Sequence, residues 1–404
     1  VPPPRASAPA SSIDAKGSRV ASPTKDALFP DARPTTSPRF TTGILPYQSY
    51  FDFVKAGRIA ADLPFADNQI QPASIDLRLG PVAYRVQASF LPGNQPVMRK
   101  IEQLKMHELD LTQGAVLERG CIYIVPLLEK LSLPADIAGT ANPKSTTGRL
   151  DIFTRLIPDY AEEFEKVKKG YKGQLYLEVS PRTFSVKVHQ GLALNQLRLR
   201  RGDPPPSDTT LEALNEAEGL IFSNDEKSAA IIRRGLWVSI DLQGPEGDII
   251  GYRARHHTAL IDLARVGHYD PREYWEPIHR NASRSLILNP GEFYILVSKE
   301  QVRVPSGYAA EMVPYDPSVG EFRIHYAGFF DPGFGYGQSG EISGTRAVLE
   351  VRSHEVPFLL EDGQVVGRLI YERLTDPPEK LYGVDLKSNY QRQGLALSKH
   401  FRRD

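Results

Sequence analysis

Three groups of residues have types and spacings that could do chemistry. The run Pro143-Lys-Ser-Thr-Thr-Gly-Arg149 brings two cations, three hydroxyls and a glycine turn together. Exposed backbone N–H groups in such a turn suit phosphate oxygens, although an ordinary polar loop would look the same. Glu178 and Glu350 each stand inside an apolar run, on the strand face opposite their flanking Leu and Val. Each carboxylate is either on a solvated strand face or partly desolvated in a cleft, with a pKa raised enough to shuttle protons. Spacing does not choose between the two. His256, His257 and His268 cluster in the chain, but there is no His-Glu-x-x-His, and no His-x-Glu followed by Pro-Cys-x-x-Cys. The usual zinc ligand spacings are therefore missing, and these histidines read as surface or loop residues. Walker and Rossmann glycine loops are missing too, since Gly333-Phe-Gly-Tyr-Gly337 follows Asp-Pro and reads as a turn.

The elements that must position these groups are mostly strands. From about Ile70 the chain runs through Ser74-Ile-Asp-Leu-Arg-Leu79, Cys121-Ile-Tyr-Ile-Val125, Gln174-Leu-Tyr-Leu-Glu-Val179 and Leu192-Ala-Leu-Asn-Gln-Leu197, separated by Gly and Pro. That pattern predicts a barrel or sandwich of antiparallel strands. Three stretches read as helical: Pro46 to Gly57, closed by glycine; Asp159 to Lys169, acidic at its start and basic at its end; and Thr209 to Phe222, opened by Thr209-x-x-Glu212. The last two read as insertions between strands. Residues 1–40, with 8 of the chain's 33 prolines and only Phe29 and Phe40 as aromatics, read as a flexible arm.

Composition narrows the function classes. The chain has 404 residues, with 49 Lys and Arg against 49 Asp and Glu, so any basic site must be local. General nucleic-acid binding and polybasic membrane attachment do not fit that balance. Cys121 is the one cysteine, which excludes an intrachain disulfide and a Cys-rich zinc site and suits a cytoplasmic protein. No apolar run approaches the roughly 20 residues a membrane-spanning helix needs.

The chain also repeats itself. Ser74-Ile-Asp-Leu returns at Ser239-Ile-Asp-Leu242, Leu117–Val125 at Leu288–Leu296, and Leu131-Ser-Leu-Pro134 at Val302-Arg-Val-Pro305. Leu177-Glu-Val179 returns at Leu349-Glu-Val351, and Gly191–Leu197 at Gly363–Leu369, always in the same order and about 170 residues on. Duplication predicts four parts: the arm at 1–40, a first repeat at 41–202, a linker with a helix at 203–230, and a second repeat with a closing tail at 231–404.

With these motifs the chain resembles the dCTP deaminases, whose β-rich fold is shared with the trimeric dUTPases. The resemblance rests on Ser74–Gly80, the Lys-Ser-Thr-x-Gly-Arg loop at 144–149, Ile324-His-Tyr-Ala-Gly-Phe-Phe-Asp-Pro-Gly-Phe334, Leu349-Glu-Val351, and the tail with Tyr382, Tyr390 and Gln393. It implies two tandem dUTPase-like distorted β-barrel or jelly-roll repeats and hydrolysis of dCTP to dUTP and ammonia without zinc. Each repeat keeps different motifs. The first has Lys144, Ser145, Thr146, Arg149 and Gln196 for phosphate, but its nucleoside hairpin is expected to be missing, replaced by the 159–169 insertion. The second has the hairpin, Glu350 and the tail, but Asp316-Pro-Ser318 stands in place of the phosphate loop and Arg368 in place of the glutamine.

The resemblance therefore implies a composite site, built from the first repeat of one unit and the second repeat of its neighbour. Glu350, with Glu178 as the alternative, would move protons between water, N3 and the leaving amine. Ser145 and Arg149 would place the water and control the carboxylate's charge. The stretch at His325, Tyr326 and Ala327 would read the base, and Asp331 would take the sugar hydroxyl. Tyr382, Tyr390 and Gln393 would close over the phosphates, with Lys387, Lys399, Arg402 and Arg403 as further cations. Magnesium is expected on the triphosphate rather than on the protein, dTTP as an inhibitor, and a homo-oligomer with sites between repeats or chains. Two other functions stay open: a dUTP pyrophosphatase, alone or combined with deamination, and a non-catalytic nucleotide-binding regulator.

Overall fold

A computed structural model describes residues 40–204, 207–224, 226–244, 247–314, 322–325, 328–353, 355–383 and 394–403. The expected arm at 1–40 lies, apart from Phe40, outside them. Residues 38–404 pack as one unit, and it is mainly β. In the first repeat, strands Ile137–Pro143, Ala193–Arg201 and Ser74–Arg78 lie side by side in one six-stranded sheet. Strands Ile152–Pro158, Lys172–Pro181 and Ile122–Ser132 lie side by side in a second. The second repeat builds the same pair. Tyr308–Pro314, Val365–Arg373 and Leu236–Ser239 form one group, and Phe322–His325, Thr345–Ser353 and Phe293–Val302 the other.

Strand register identifies the equivalent residues. Glu178 pairs with Ile124 and Arg155, and Glu350 pairs with Ile295 and His325. Leu117 pairs with Val186, and Leu288 with Phe358. Four of the five repeated motifs thus superpose. The fifth does not. Ile75 lies opposite Leu197, whereas the residue opposite Leu369 is Leu236, so the Ser-Ile-Asp-Leu at 239–242 sits four residues out of register with the one at 74–77. The counterpart of Asp76 is Trp237, and the similarity of those two motifs is not a structural repeat.

The helix expected at 46–57 is present as Tyr47–Lys55, and Tyr50 anchors it by donating from its hydroxyl to Ala73 O and accepting from Leu199 N. The helix expected at 209–222 is Asp208–Glu218, capped by the Ser207 hydroxyl rather than by Thr209, and Ile221–Ser223 is already a strand. No helix forms at 159–169. Tyr160 and Glu165 take left-handed φ values of 59° and 63°, Asp159 spends its carboxylate on Val97 N, and Lys166–Val167 pairs with the strand Ile137–Pro143. This stretch joins strand Ile152–Pro158 of one sheet to strand Lys166–Val167 of the other, and the charge pattern came from the turn between them.

The main core runs through both repeats. Phe184 of the first packs edge-on to Trp275 of the second, and Phe293 and Phe401 join the same cluster. Strand Ile261–Asp262 of the second repeat adds in parallel to Val186–Val188 of the first.

Candidate active site

Alternation along the strands sends a polar face of the first repeat toward the second. Asp76, Gln196 and Asn142 lie directly across from one another on three adjacent strands, with Arg198 two positions along on the same face. Their neighbours Ile75, Leu77, Leu197, Leu199 and Ala141 turn the other way, into the core. The polar face meets its partners at once. Arg198 donates to Asp331 Oδ1 at 3.0 Å and to Ala310 O at 3.0 Å, and its guanidinium lies 4.0 Å from the Phe329 ring centre. Asn142 donates to Glu311 at 3.2 Å.

The loop with the two cations leaves the end of strand Ile137–Pro143. Ser145–Gly148 forms a single helical turn with Lys144 before it and Arg149 after it. Thr147 pins the turn by donating to Leu194 O at 2.8 Å. Lys144 is bonded to Asp76, Ser145 is exposed and Thr146 half-buried. Gln196 lies beside this loop, 3.5 Å from Pro143 O. Arg149 turns inward, and its Nε is 4.0 Å from Glu350 Oε1 across the boundary between the repeats.

Glu350 and Arg352 share one face of strand Thr345–Ser353, while Leu349 and Val351 face the core. Burial pushes the Glu350 carboxyl up to about 8, against the pull of the Arg149 charge. Arg352 reaches the same loop two residues further on. Its guanidinium bonds Asp151 and donates to Thr183 at 3.0 Å. Asp151 is buried and has a left-handed φ of 54°, so the Arg352 contact holds the strained residue that ends this turn.

Glu178, the equivalent carboxylate, is placed differently. Arg155 of its own repeat donates to it at 2.7 Å and Ser89 donates at 2.6 Å, and the Arg155 guanidinium lies 3.6 Å from the Phe164 ring centre. Its charge is neutralised locally, and no arginine from the other repeat faces it among the contacts described.

The C-terminal segment closes over the phosphate-type loop. Arg149 donates to Ala396 O at 3.0 Å, Ser398 donates to Thr146 O at 3.0 Å, and Ser398 also bonds His400. Burial, with Lys144 nearby, lowers the Lys399 ammonium, and burial with Lys399 nearby lowers the His400 imidazole to about 4. Tyr382 packs on Phe334, ring centres 5.7 Å apart, and donates its N–H to Pro332 O. Asp331 is buried, which raises its carboxyl against the Arg198 charge. Arg402 lies apart, donating to His268 O. Tyr326, Ala327, Lys387, Tyr390 and Gln393 lie outside the described residues. For His325 only the backbone is described, opposite Glu350.

Sequence reasoning gave Arg198 no role, and Asp76 entered only as part of a motif. The signal for Arg198 was available: a cation between Leu197 and Leu199 in an apolar strand is buried only if something pairs with it. The composite arrangement forms inside one chain, first repeat against second, so no neighbouring chain is needed to bring Arg149 to Glu350. Among the described residues no group of three or more His, Cys, Asp or Glu is placed to hold a metal ion.

Two family models match this chain. Residues 41–203 match "2'-deoxycytidine 5'-triphosphate deaminase (DCD) N-terminal domain", and residues 207–401 match the corresponding C-terminal domain. The chain belongs to the dCTP deaminase family. A crystal structure of 2'-deoxycytidine 5'-triphosphate deaminase from Agrobacterium tumefaciens is similar to it at 52% identity, covering 83% of this chain and 99% of that one, with a TM-score of 0.78. Among curated relatives, the "dCTP deaminase, dUMP-forming" of Streptomyces coelicolor is 29% identical over 37% of this chain and 75% of its own length. The protein of the same name from Parafrankia sp. is 32% identical over 38% and 73%.

Proposed function

We propose that this protein deaminates dCTP hydrolytically to dUTP and ammonia, on the route to thymidine nucleotides, at the site between its two repeats. The observation that carries this reading is the buried Glu350 beside Arg149. A general acid–base must be able to hold and release a proton near working pH, and a carboxyl at about 8 can do both.

Glu350 takes a proton from water as the oxygen bonds to C4 of cytosine, and passes it to N3. The tetrahedral carbon then loses the amine, which leaves as ammonia with the second water proton, again moved by Glu350, and C4 becomes a carbonyl. Arg149 stays charged throughout and stabilises the carboxylate form when it appears. Ser145, exposed next to Arg149, places the water. Lys144, Thr146, Gln196 and Lys399 bind the triphosphate, and Asp331, oriented by Arg198, accepts the sugar hydroxyl. Tyr382, packed on Phe334, closes one side of the site. Glu178 takes no part, because Arg155 and Ser89 already occupy it.

Each carboxylate described around the phosphate-type loop already faces a cation: Asp76 faces Lys144, Glu350 faces Arg149 and Asp151 faces Arg352. This donor set fits magnesium held by the nucleotide's own phosphates. The ion then supplies charge neutralisation of the triphosphate. The protein works in the cytoplasm, binds dCTP and dUTP, and takes dTTP as an inhibitor in the same site.

Incubation with dCTP and magnesium, followed by chromatography of nucleotides and assays of ammonia and pyrophosphate, tests the reading. dUTP and ammonia should accumulate in equal amounts. Glu350→Gln should lower kcat by roughly 10²–10⁴, whereas Lys144→Ala should act mainly on KM, raising it roughly tenfold or more for one lost charge-assisted contact. Normal turnover by the Glu350 variant would sink the assignment. A second reading is favoured by the dUMP-forming names of the curated relatives: the dUTP is hydrolysed further in the same site. Release of dUMP and pyrophosphate in step with ammonia would establish it.

A further inference from the structure

The first repeat holds a cavity of about 460 Å³ that the deamination reaction does not use. Its walls are the connection from strand Ile152–Pro158 to strand Lys166–Val167, the turn that follows, and residues 138–140 of strand Ile137–Pro143. That volume lies within the range of small-molecule sites. Lys144, Arg149, Gln196, Asp331 and Glu350 are all absent from its lining, so it is separate from the proposed deamination site.

The charges of the connection are distributed unevenly around the cavity. Most of its acids are engaged. Asp159 accepts from Val97 N at 2.7 Å, Glu162 accepts from Lys168 at 2.9 Å, and Asp203 faces Arg200 at 3.3 Å. Arg200 is bonded to Glu372 of the second repeat as well. The remaining cations are less committed. Lys166 donates to the Thr140 hydroxyl, not to an acid, at 3.4 Å, and the exposed Lys169 and Lys172 pair with no carboxylate among the described residues. Against these three ammonium groups the lining sets one carboxylate without a described partner, Glu163.

The local backbone presents two aromatic rings beside these cations. Lys169 stands in a tight turn in which Tyr171 N donates to Lys168 O at 3.2 Å and Gly170 takes a left-handed φ of 70°, a value glycine adopts without strain. The Tyr171 hydroxyl accepts from Asp159 N at 3.0 Å and donates to Gln174 O at 2.5 Å. Its polar end is therefore fixed, and its ring serves as wall. Tyr160 is the second aromatic of the lining. It is 56% exposed, belongs to none of the hydrophobic clusters, and is held at a left-handed φ of 59° that is unfavourable for a large side chain. The fold gains no core packing from this ring, and strained backbone of this kind gathers at ligand sites.

We propose that this cavity binds a purine nucleoside phosphate, with its phosphates on Lys169, Lys172 and Lys166 and its base against Tyr160 and Tyr171. Lysine ammonium groups bind phosphate as point charges. A tyrosine face stacks any base, with preference set by stacking strength. No Asn, Gln or His lines the cavity, so ring area selects the ligand rather than side-chain hydrogen bonds to a base edge. That favours the two-ring purines over cytosine.

Calorimetric titration of the full chain with ATP as the probe tests the proposal. It should give a single site per chain. Lys169→Ala combined with Lys172→Ala should weaken binding roughly tenfold or more, and Tyr160→Asn roughly 5- to 100-fold. Asparagine keeps the left-handed backbone at 160 accessible, and all three side chains are exposed, so the melting transitions should match that of the parent. Lys144→Ala should leave ATP affinity unchanged, and CTP, with the same phosphates and a smaller ring, should bind several-fold more weakly. Four outcomes would overturn the proposal. Absence of binding up to millimolar ATP would leave the cavity without a nucleotide. Affinity lost in Lys144→Ala but kept in the double lysine variant would place ATP in the deamination site. Unchanged affinity in Tyr160→Asn would mean that phosphate alone is held, and equal binding of CTP would remove the preference for purines.

Discussion

Glu350 and Glu178 occupy equivalent positions, and what separates them is the residue each one faces. Glu178 is tied by Arg155 and Ser89, whereas Glu350 is buried with the Arg149 Nε 4.0 Å away. Two consequences follow for titration. Arg149 lowers the Glu350 pKa, so Arg149→Met should move the limb of the pH–rate profile that belongs to Glu350 to higher pH, in addition to lowering the rate; a limb that stays put would mean another group sets it. The second consequence concerns stability. The folded carboxyl, at about 8, holds a proton that the unfolded chain releases near 4.5, so its contribution to stability is complete below 4.5 and is lost as pH rises to 8. Glu350→Gln should therefore melt higher than the parent at pH 8 and gain little at pH 4.5, even as activity collapses. A melting series across that range checks it. The chemistry of these residues was legible in the types Lys144, Arg149 and Glu350, but the choice between the two glutamates was not, because it depends on a partner more than 150 residues away in sequence. Arg198 was obscured for the same reason: its role comes from facing Asp331 of the other repeat.

Among the elements, the strands could be read from alternation and from the duplication, since four repeated motifs fall in true register. Two readings failed for identifiable reasons. The charge pattern at 159–169 imitates a helix, but the left-handed Tyr160 and Glu165 and the capping role of Asp159 belong to a turn between strands of two sheets. The Ser-Ile-Asp-Leu motif at 239–242 is displaced by four residues, which alternation alone cannot detect because a shift of four keeps every side chain on its own face. The strand Thr345–Ser353 carries a further expectation. Arg352 clamps Asp151 two residues beyond Arg149, just as Glu350 lies two residues before Arg352. This makes Arg352 a positioning residue for the Glu350–Arg149 pair. Arg352→Met should cut kcat roughly 10- to 100-fold with a smaller change in KM, since a displacement of about 1 Å at a reacting group has that effect. Arg352→Lys should recover part of the loss. An equal effect on kcat and KM, or none, would leave the clamp a purely structural one.

At the scale of the whole molecule, an arginine of the first repeat, Arg149, meets a glutamate of the second, Glu350, while Glu178 is met by Arg155 of its own repeat. Calorimetry of dCTP binding to the Glu350→Gln protein should therefore give one nucleotide per chain. Two equivalent sites would mean that the Arg155–Glu178 pair opens to admit substrate, contrary to its assignment here.

The site also lies between two halves that cannot drift apart. Where a site is shared between separate chains, dilution dissolves it along with the oligomer. Here Arg149 and Glu350 are joined by the polypeptide between them, so the local concentration of one half around the other is fixed by the chain and its packing, not by the amount of protein in solution. Catalysis per chain is then uncoupled from concentration: dilution leaves the rate per site as it was, and a specific activity measured over a wide range of protein concentration should stay flat.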